Sequence, residues 1–256
     1  MSDDHTADLS DGELATRLAS STGRLVMEVR NGAVLAGADL GGAGDAVAQE
    51  YLARALAAVR PDQAVLSEEG TDDPARLGRS AVWLVDPLDG TREYAEGRND
   101  FAVHVALAVD GEAVAGAVSL PALGVTYTTA HPPRLGGAPG DRLRLVVSRS
   151  RPPAFAEAVA EHLGGDLVPM GSTGAKAMAV LRGEADAYLH AGGHHEWDSA
   201  APVAVARSAG LHASRIDGSP LRYNQPDPFQ ADLLVCRREL TGRLLDSVAR
   251  AIRRAR

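Results

Sequence analysis

The chain has one cysteine, one lysine, no apolar run of membrane-spanning length and little positive charge. Each scarcity excludes something. Cys236 has no partner for an internal disulfide, and its setting in Ala231-Asp232-Leu233-Leu234-Val235-Cys236 is that of a thiol packing as a small hydrophobe. A spanning helix needs roughly 20 apolar residues, and Met1-Ser2-Asp3-Asp4-His5 is acidic where a secretory signal is basic and then apolar. The expectation is a soluble, cytoplasmic chain. Positive charge is also short: 26 Lys and Arg against 34 Asp and Glu leave a net charge of −8. That argues against a general nucleic-acid binder, because displacing counterions from many phosphates takes a basic face. A small nucleotide stays open as a ligand. Lys176 is the one lysine among the 26 basic residues. Its retention marks either chance or a place that wants a compact, flexible point charge in preference to a planar guanidinium.

What is present is enough for a substantial core: 256 residues, 45% of them hydrophobic, fit one large domain or two intimate halves. Ser10 and Glu13 form a capping-box pattern ahead of Leu14, Leu18, Leu25 and Val29, one face of a long helix. Val47, Tyr51, Leu52, Ala55, Leu56 and Val59 predict a second helix, with Asp45 near its first turn and Pro61 beyond its end. Strands are expected at 101–109 and 113–120, joined by the hairpin signal Asp110-Gly111, with a third at 125–129. The proline- and glycine-rich segment His131–Asp141 reads as a loop or a boundary between halves. Beyond it, strands at 144–148, 167–170, 185–190, 211–214 and 233–237 alternate with helices at 154–163, 174–182, 199–209 and 239–254. The fold class is therefore α/β, layered, in two halves at 1–130 and 142–256.

The chemistry concentrates in Val82-Trp83-Leu84-Val85-Asp86-Pro87-Leu88-Asp89-Gly90-Thr91, an apolar strand that ends in two acids around a Pro-Leu pair. Pro87 fixes its own φ and holds Asp86 extended, so the chain is expected to leave the strand sharply and aim both carboxylates and the Leu88 carbonyl at one cation. Gly90 and Thr91 then open a segment whose free N–H groups favour a phosphate. Asp-Pro and Asp-Gly are also ordinary turn formers, so the motif needs company. Glu68-Glu69 follows the short apolar run Ala64-Val65-Leu66, and Asp198 begins an Ala/Val-rich helical pattern. Glu68, Asp86, Asp89 and Asp198 brought within a few ångströms could not all stay ionised at neutral pH without cations. Magnesium, which takes oxygen ligands, suits such a set. His190, His194 and His195 lack the H-E-x-x-H spacing of a zinc site, and Gly171–Lys176 lacks the spacing of a Walker A loop.

These pieces, in this order, resemble the inositol monophosphatase superfamily of magnesium-dependent, lithium-sensitive phosphatases. Glu68-Glu69 is similar to its acidic pair, Asp86–Thr91 to its central signature, and Trp197-Asp198-Ser199-Ala200-Ala201 to its late Trp-Asp element. Arg92-Glu93-Tyr94, Val147-Ser148-Arg149-Ser150 and Gly171-Ser172-Thr173-Gly174-Ala175-Lys176 resemble its 3′(2′),5′-bisphosphate nucleotidase branch of the CysQ type. The resemblance implies an αβαβα sandwich. It implies metal ligands Glu68, Asp86, the Leu88 carbonyl, Asp89 and Asp198 for two or three magnesium ions, with lithium inhibitory. It further implies a metal-activated water that passes a proton toward Thr91 and either Asp45 or Glu68, and substrate contacts at Gly90, Thr91, Ser172 and Lys176. Two departures stand out. Gly41-Gly42-Ala43-Gly44-Asp45 replaces the Thr-x-x-Ala-Asp segment of many relatives, and one extra residue between Ser172 and Lys176 leaves Ser172 or Thr173 as the substrate hydroxyl. The implied reaction is removal of the 3′-phosphate from 3′-phosphoadenosine 5′-phosphate, and from its 5′-phosphosulfate relative, by a monomer or homodimer. The alternatives are an inositol or fructose phosphate phosphatase on the same scaffold, or a silent nucleotide-binding regulator.

Overall fold

The computed structural model describes residues 9–137 and 140–254, so the acidic start at 1–5 lies outside the described residues. Two long helices come first. In α1 (Asp11–Asn31) the Ser10 hydroxyl and the Glu13 carboxylate each accept the other residue's backbone N–H, as the capping box predicts. The second helix, α2 (Gly37–Val59), begins well before the expected start, which places Asp45 in the helix interior and not in its first turn. Gly41 and Gly44 in this added stretch are packing devices. A Cβ on Gly44 would stand 2.8 Å from Tyr94 Cε1 and 2.9 Å from Leu88 Cδ2, and one on Gly41 3.0 Å from Thr91 Cγ2. Tertiary contact overrides their poor helix propensity.

The first sheet runs in the order β1 (Ala64–Ser67), β2 (Ala81–Asp89), β3 (Ala102–Val109), β4 (Glu112–Leu120), β5 (Val125–Thr128). β1 and β2 are parallel and the other pairs antiparallel. A single helical turn, α3 (Thr91–Ala95), separates β2 from β3. The β3–β4 turn has Asp110 and Gly111 both at positive φ, the geometry an Asp-Gly hairpin selects. The second sheet holds β6 (Arg144–Ser148), β7 (Asp166–Met170), β8 (Ala187–His195), β9 (His212–Ser214) and β10 (Phe229–Cys236), ordered β7-β6-β8-β10-β9. Its helices are α4 (Ala156–Leu163), α5 (Thr173–Arg182), α6 (Glu196–Ser208) and α7 (Thr241–Arg254).

Period-two alternation sorts these elements into five layers. Trp83 and Val85 of β2 face α1 and α2, packing with Leu14, Leu18, Leu52 and Leu56. Val82 and Leu84 face the other way, onto Met178 and Leu181 of α5 and Val203 and Val205 of α6. Those two helices fill the middle, covering Tyr188 and Val235 of the second sheet as well. Leu145, Leu189, Leu234 and Cys236 turn outward onto Val159 of α4 and Leu244 and Val248 of α7. The result is helix, sheet, helix, sheet, helix. β8 runs to His195 and α6 starts at Glu196, so the strand is longer and the helix earlier than the sequence reading. Gly192 and Gly193, at φ 85° and 78°, form a bulge in β8 opposite the step from Gln230 to Asp232, which lets the strand continue past its expected end at 190. Among the described residues no helix is long and apolar enough to cross a membrane.

Candidate active site

The Asp-Pro-Leu-Asp stretch stays in the sheet, correcting the expected sharp exit. Asp86 pairs with His104 and Asp89 with Ala102, so β2 carries one residue more than β3 across that interval, a β-bulge. Pro87 has no N–H for the ladder, and the surplus residue sits beside it. The Leu88 N–H turns back to Asp86 Oδ1 at 3.2 Å. Gly90 then takes φ 89°, a left-handed turn that suits glycine, and starts the one turn of α3.

The four acids named from the sequence meet here. Glu68, Asp86, Leu88, Asp89, Gly90, Thr91 and Asp198 line one cavity of about 510 Å³. Glu68 comes from the loop after β1, and Asp198 from the first turn of α6, where it accepts the His195 N–H at 2.6 Å. Burial, then repulsion from Asp89, Glu68 and Asp198, pushes Asp86 well above the ordinary carboxyl range. Asp198 rises to about 8, from burial and then Asp89. Glu68, exposed as a residue, leans its carboxyl toward Asp86; loss of solvent there, then Asp89 and Glu69, raises it. Asp89 moves the other way. Burial alone would raise it, but His104, Lys176 and the Ser172 hydroxyl together hold it well below its usual value.

Four carboxyls in one pocket, with Asp86, Asp198 and Glu68 raised by burial and mutual repulsion, fit a hard cation. Asp86 Oδ2 is buried with no hydrogen-bond partner, and ligand atoms of Asp86, Asp89 and His104 all lie within 4.8 Å of one another. His104 is the residue the sequence reading missed. It is a lone polar residue in the apolar strand β3, and only its register opposite Asp86 reveals the connection.

Thr91 and Asp45 also come together. Thr91 Oγ1 lies 3.2 Å from Asp45 Oδ1 and 3.0 Å from the Leu88 carbonyl. Asp45 rises to about 7, through burial and then the charges of Glu69 and Glu68. Asp45, not Glu68, is thus the acid bonded to Thr91.

A second cavity, about 170 Å³, shares Asp89, Gly90, Glu93, Ser150, Arg151 and Asp198 with the first. Ser172 and Lys176 line it from the start of α5. The Ser172 hydroxyl donates to Asp89 Oδ2 at 2.5 Å, and Lys176 Nζ donates to the Ser172 carbonyl at 2.6 Å. Burial lowers Lys176 to about 8 against the pull of Asp89 and Glu93. Thr173 is tied to His194 at 2.7 Å. The His190 and His194 rings stack at 3.5 Å on the cavity wall, while His195 stacks on Trp197. Arg149 bonds Glu93 at 2.8 Å, and Gly171 leaves the space that Glu93 occupies, so Arg149, Glu93 and Gly171 brace the loop that carries Ser172.

The profile of the inositol monophosphatase family matches residues 13–254. A Mycobacterium leprae protein named 3′-phosphoadenosine 5′-phosphate phosphatase is 46% identical over 259 residues, 94% of each chain. A Mycobacterium tuberculosis protein of the same name is 53% identical over 227 residues, 84% of each chain. The crystal structure of CysQ from Bacteroides thetaiotaomicron superposes with a TM-score of 0.74 at 26% identity, covering 89% of this chain and 97% of that one. The chain belongs to the inositol monophosphatase family.

Proposed function

We propose that this protein is a magnesium-dependent phosphomonoesterase that hydrolyses the 3′-phosphate of 3′-phosphoadenosine 5′-phosphate to AMP and phosphate, and acts likewise on the 5′-phosphosulfate. Such an activity would clear a cytoplasmic by-product of sulfate activation. The observation that carries the reading is the junction of two cavities over Asp89: an acidic one able to hold metal, and a smaller one with Lys176, Arg151 and Ser172 on its walls. A substrate with one ester phosphate and a second anionic group fits that division. The names borne by the mycobacterial relatives support the same substrate.

In this reading Glu68, Asp86, the Leu88 carbonyl, Asp89 and Asp198 hold the ions. Magnesium, when bound, supplies Lewis acidity and offsets the charge of the carboxylates and the phosphoryl oxygens. The chain's own groups do the rest. Asp45, at about 7, takes through Thr91 the proton of the water that attacks phosphorus. Gly90 and Thr91 offer backbone N–H groups to the ester phosphate. Ser172 and Lys176 orient the nucleotide end. The first half of the chain then carries most metal ligands, and the second half Asp198 and the nucleotide pocket.

Phosphate release from 3′-phosphoadenosine 5′-phosphate, inositol 1-phosphate and fructose 1,6-bisphosphate, each with magnesium, with added lithium and with EDTA, tests the reading. The expected order puts the nucleotide first, with loss of activity in EDTA and inhibition by lithium. Preference for inositol phosphate would sink the substrate assignment, and full activity in EDTA would reject the mechanism. Nucleotide binding without phosphate release, in the unsubstituted protein as in Asp89→Asn, would mark a regulator.

A further inference from the structure

His104 is fully buried in β3, with Nε2 3.2 Å from Asp89 Oδ2 and Nδ1 3.8 Å from Asp86 Oδ2. Neither nitrogen has an aligned hydrogen-bond partner. Room for the ring comes from Gly174 at the start of α5, where any Cβ would collide with Nε2. The ring therefore sits where β2, β3 and α5 meet, behind both acids.

The two oxygens of Asp89 are not equivalent. Oδ2 accepts the Ser172 hydroxyl at 2.5 Å and the Gly174 N–H at 2.8 Å, and it is the oxygen that faces His104. An ionised carboxylate only accepts, so the imidazole nitrogen turned toward it presents a hydrogen. Two hydrogen bonds thus converge on Oδ2 from inside the protein, with His104 Nε2 at 3.2 Å on the same side. None of those bonds falls on Oδ1, and Asp89 lines both cavities.

From this asymmetry we propose that His104 is a positioning residue: it backs Asp89 from the protein side so that Oδ1 faces the metal, and is not itself a ligand. The assignment rests on the metal-dependent reading above. Groups that orient a ligand carboxylate typically govern metal affinity by about 10–100-fold.

Isothermal titration of the substrate-free protein with magnesium tests it, alongside the melting temperature of each metal-free variant. His104→Leu is expected to weaken magnesium binding by about 10–100-fold, and His104→Gln, which returns an N–H near Nε2, to restore most of it. Where the leucine variant does not fold, pulsed EPR of manganese bound to the unsubstituted protein decides, with no directly bonded nitrogen expected. Equal binding by His104→Leu, or an imidazole nitrogen bonded to manganese, would overturn this assignment alone. Absence of magnesium binding by the unsubstituted protein would overturn it together with the metal-dependent reading.

Discussion

The Thr91 hydroxyl lies between two acceptors, Asp45 Oδ1 and the Leu88 carbonyl, and has one hydrogen to share between them. A group so placed can receive a proton from one side while giving its own to the other. Thr91→Ala is expected to lower kcat by about 10²–10⁴-fold, the usual range for a lost proton-transfer partner, while Thr91→Ser keeps most of it. Steady-state rates at saturating magnesium check this; an alanine variant as fast as the unsubstituted protein would remove Thr91 from the relay. Because the ionised form of Asp45 accepts the proton, activity should rise with pH along a limb at or below about 7, a bound cation favouring ionisation. Asp45→Asn should be slow and lack that limb. Asp86, Asp89 and Thr91 were legible in the sequence because their chemistry is packed into one short motif. His104 was not, since a histidine between Val103 and Val105 acquires meaning only when strand register sets it against Asp86.

Among the elements, α2 carries the sharpest contrast. Gly42 is exposed, with nothing within 4 Å of where a Cβ would stand, whereas a methyl on Gly44 would press on Tyr94 and Leu88. Gly42→Ala should therefore stabilise the protein by about 0.5–1 kcal/mol through helix propensity alone. Gly44→Ala should lower both the melting temperature and activity, because Leu88 and Tyr94 belong to the bulge and to the turn after it. Thermal melts of the pair separate the two effects; equal gains in both variants would show that α2 does not press on the site. The same glycines explain what could be read ahead of the structure. The helical stripe from Val47 to Val59 announced the body of α2, but Gly41 and Gly44 hid its start because close approach to Thr91 and Tyr94 is a tertiary fact. Gly192 and Gly193 hid the end of β8 for a similar reason, their bulge being defined by Gln230 and Asp232 far along the chain. Alternating strands and capped helices depend on near neighbours, and those were legible.

For the whole molecule, placing acids from both halves in one pocket makes stability depend on pH and on metal together. Asp45 and Asp198 sit at about 7 and about 8, and Asp86 and Glu68 are also raised, whereas unfolded carboxyls titrate near about 4. Between those values the folded protein holds protons that the unfolded chain has released, so metal-free stability falls as pH rises. His190, lowered to about 4 mainly by burial, and His194, also held well below the usual histidine range by burial, oppose this up to the ordinary histidine value of about 6.5, because there the unfolded chain holds the extra protons. Lys176 acts mainly above about 8. In EDTA the melting temperature should accordingly decline between about pH 6.5 and 8. Magnesium should raise it more at the upper end, since the ion binds the deprotonated carboxylates. Scanning calorimetry with and without the ion measures both, and a melting temperature in EDTA that climbs across that interval would contradict the charge arrangement. The buried lysine has a separate consequence. With its ε-amine walled in beside Ser172 and Tyr188, an endoprotease specific for lysine has one peptide bond to cut in the entire polypeptide. That bond lies inside a packed helix, so cleavage there reports the opening of α5 against an otherwise silent background.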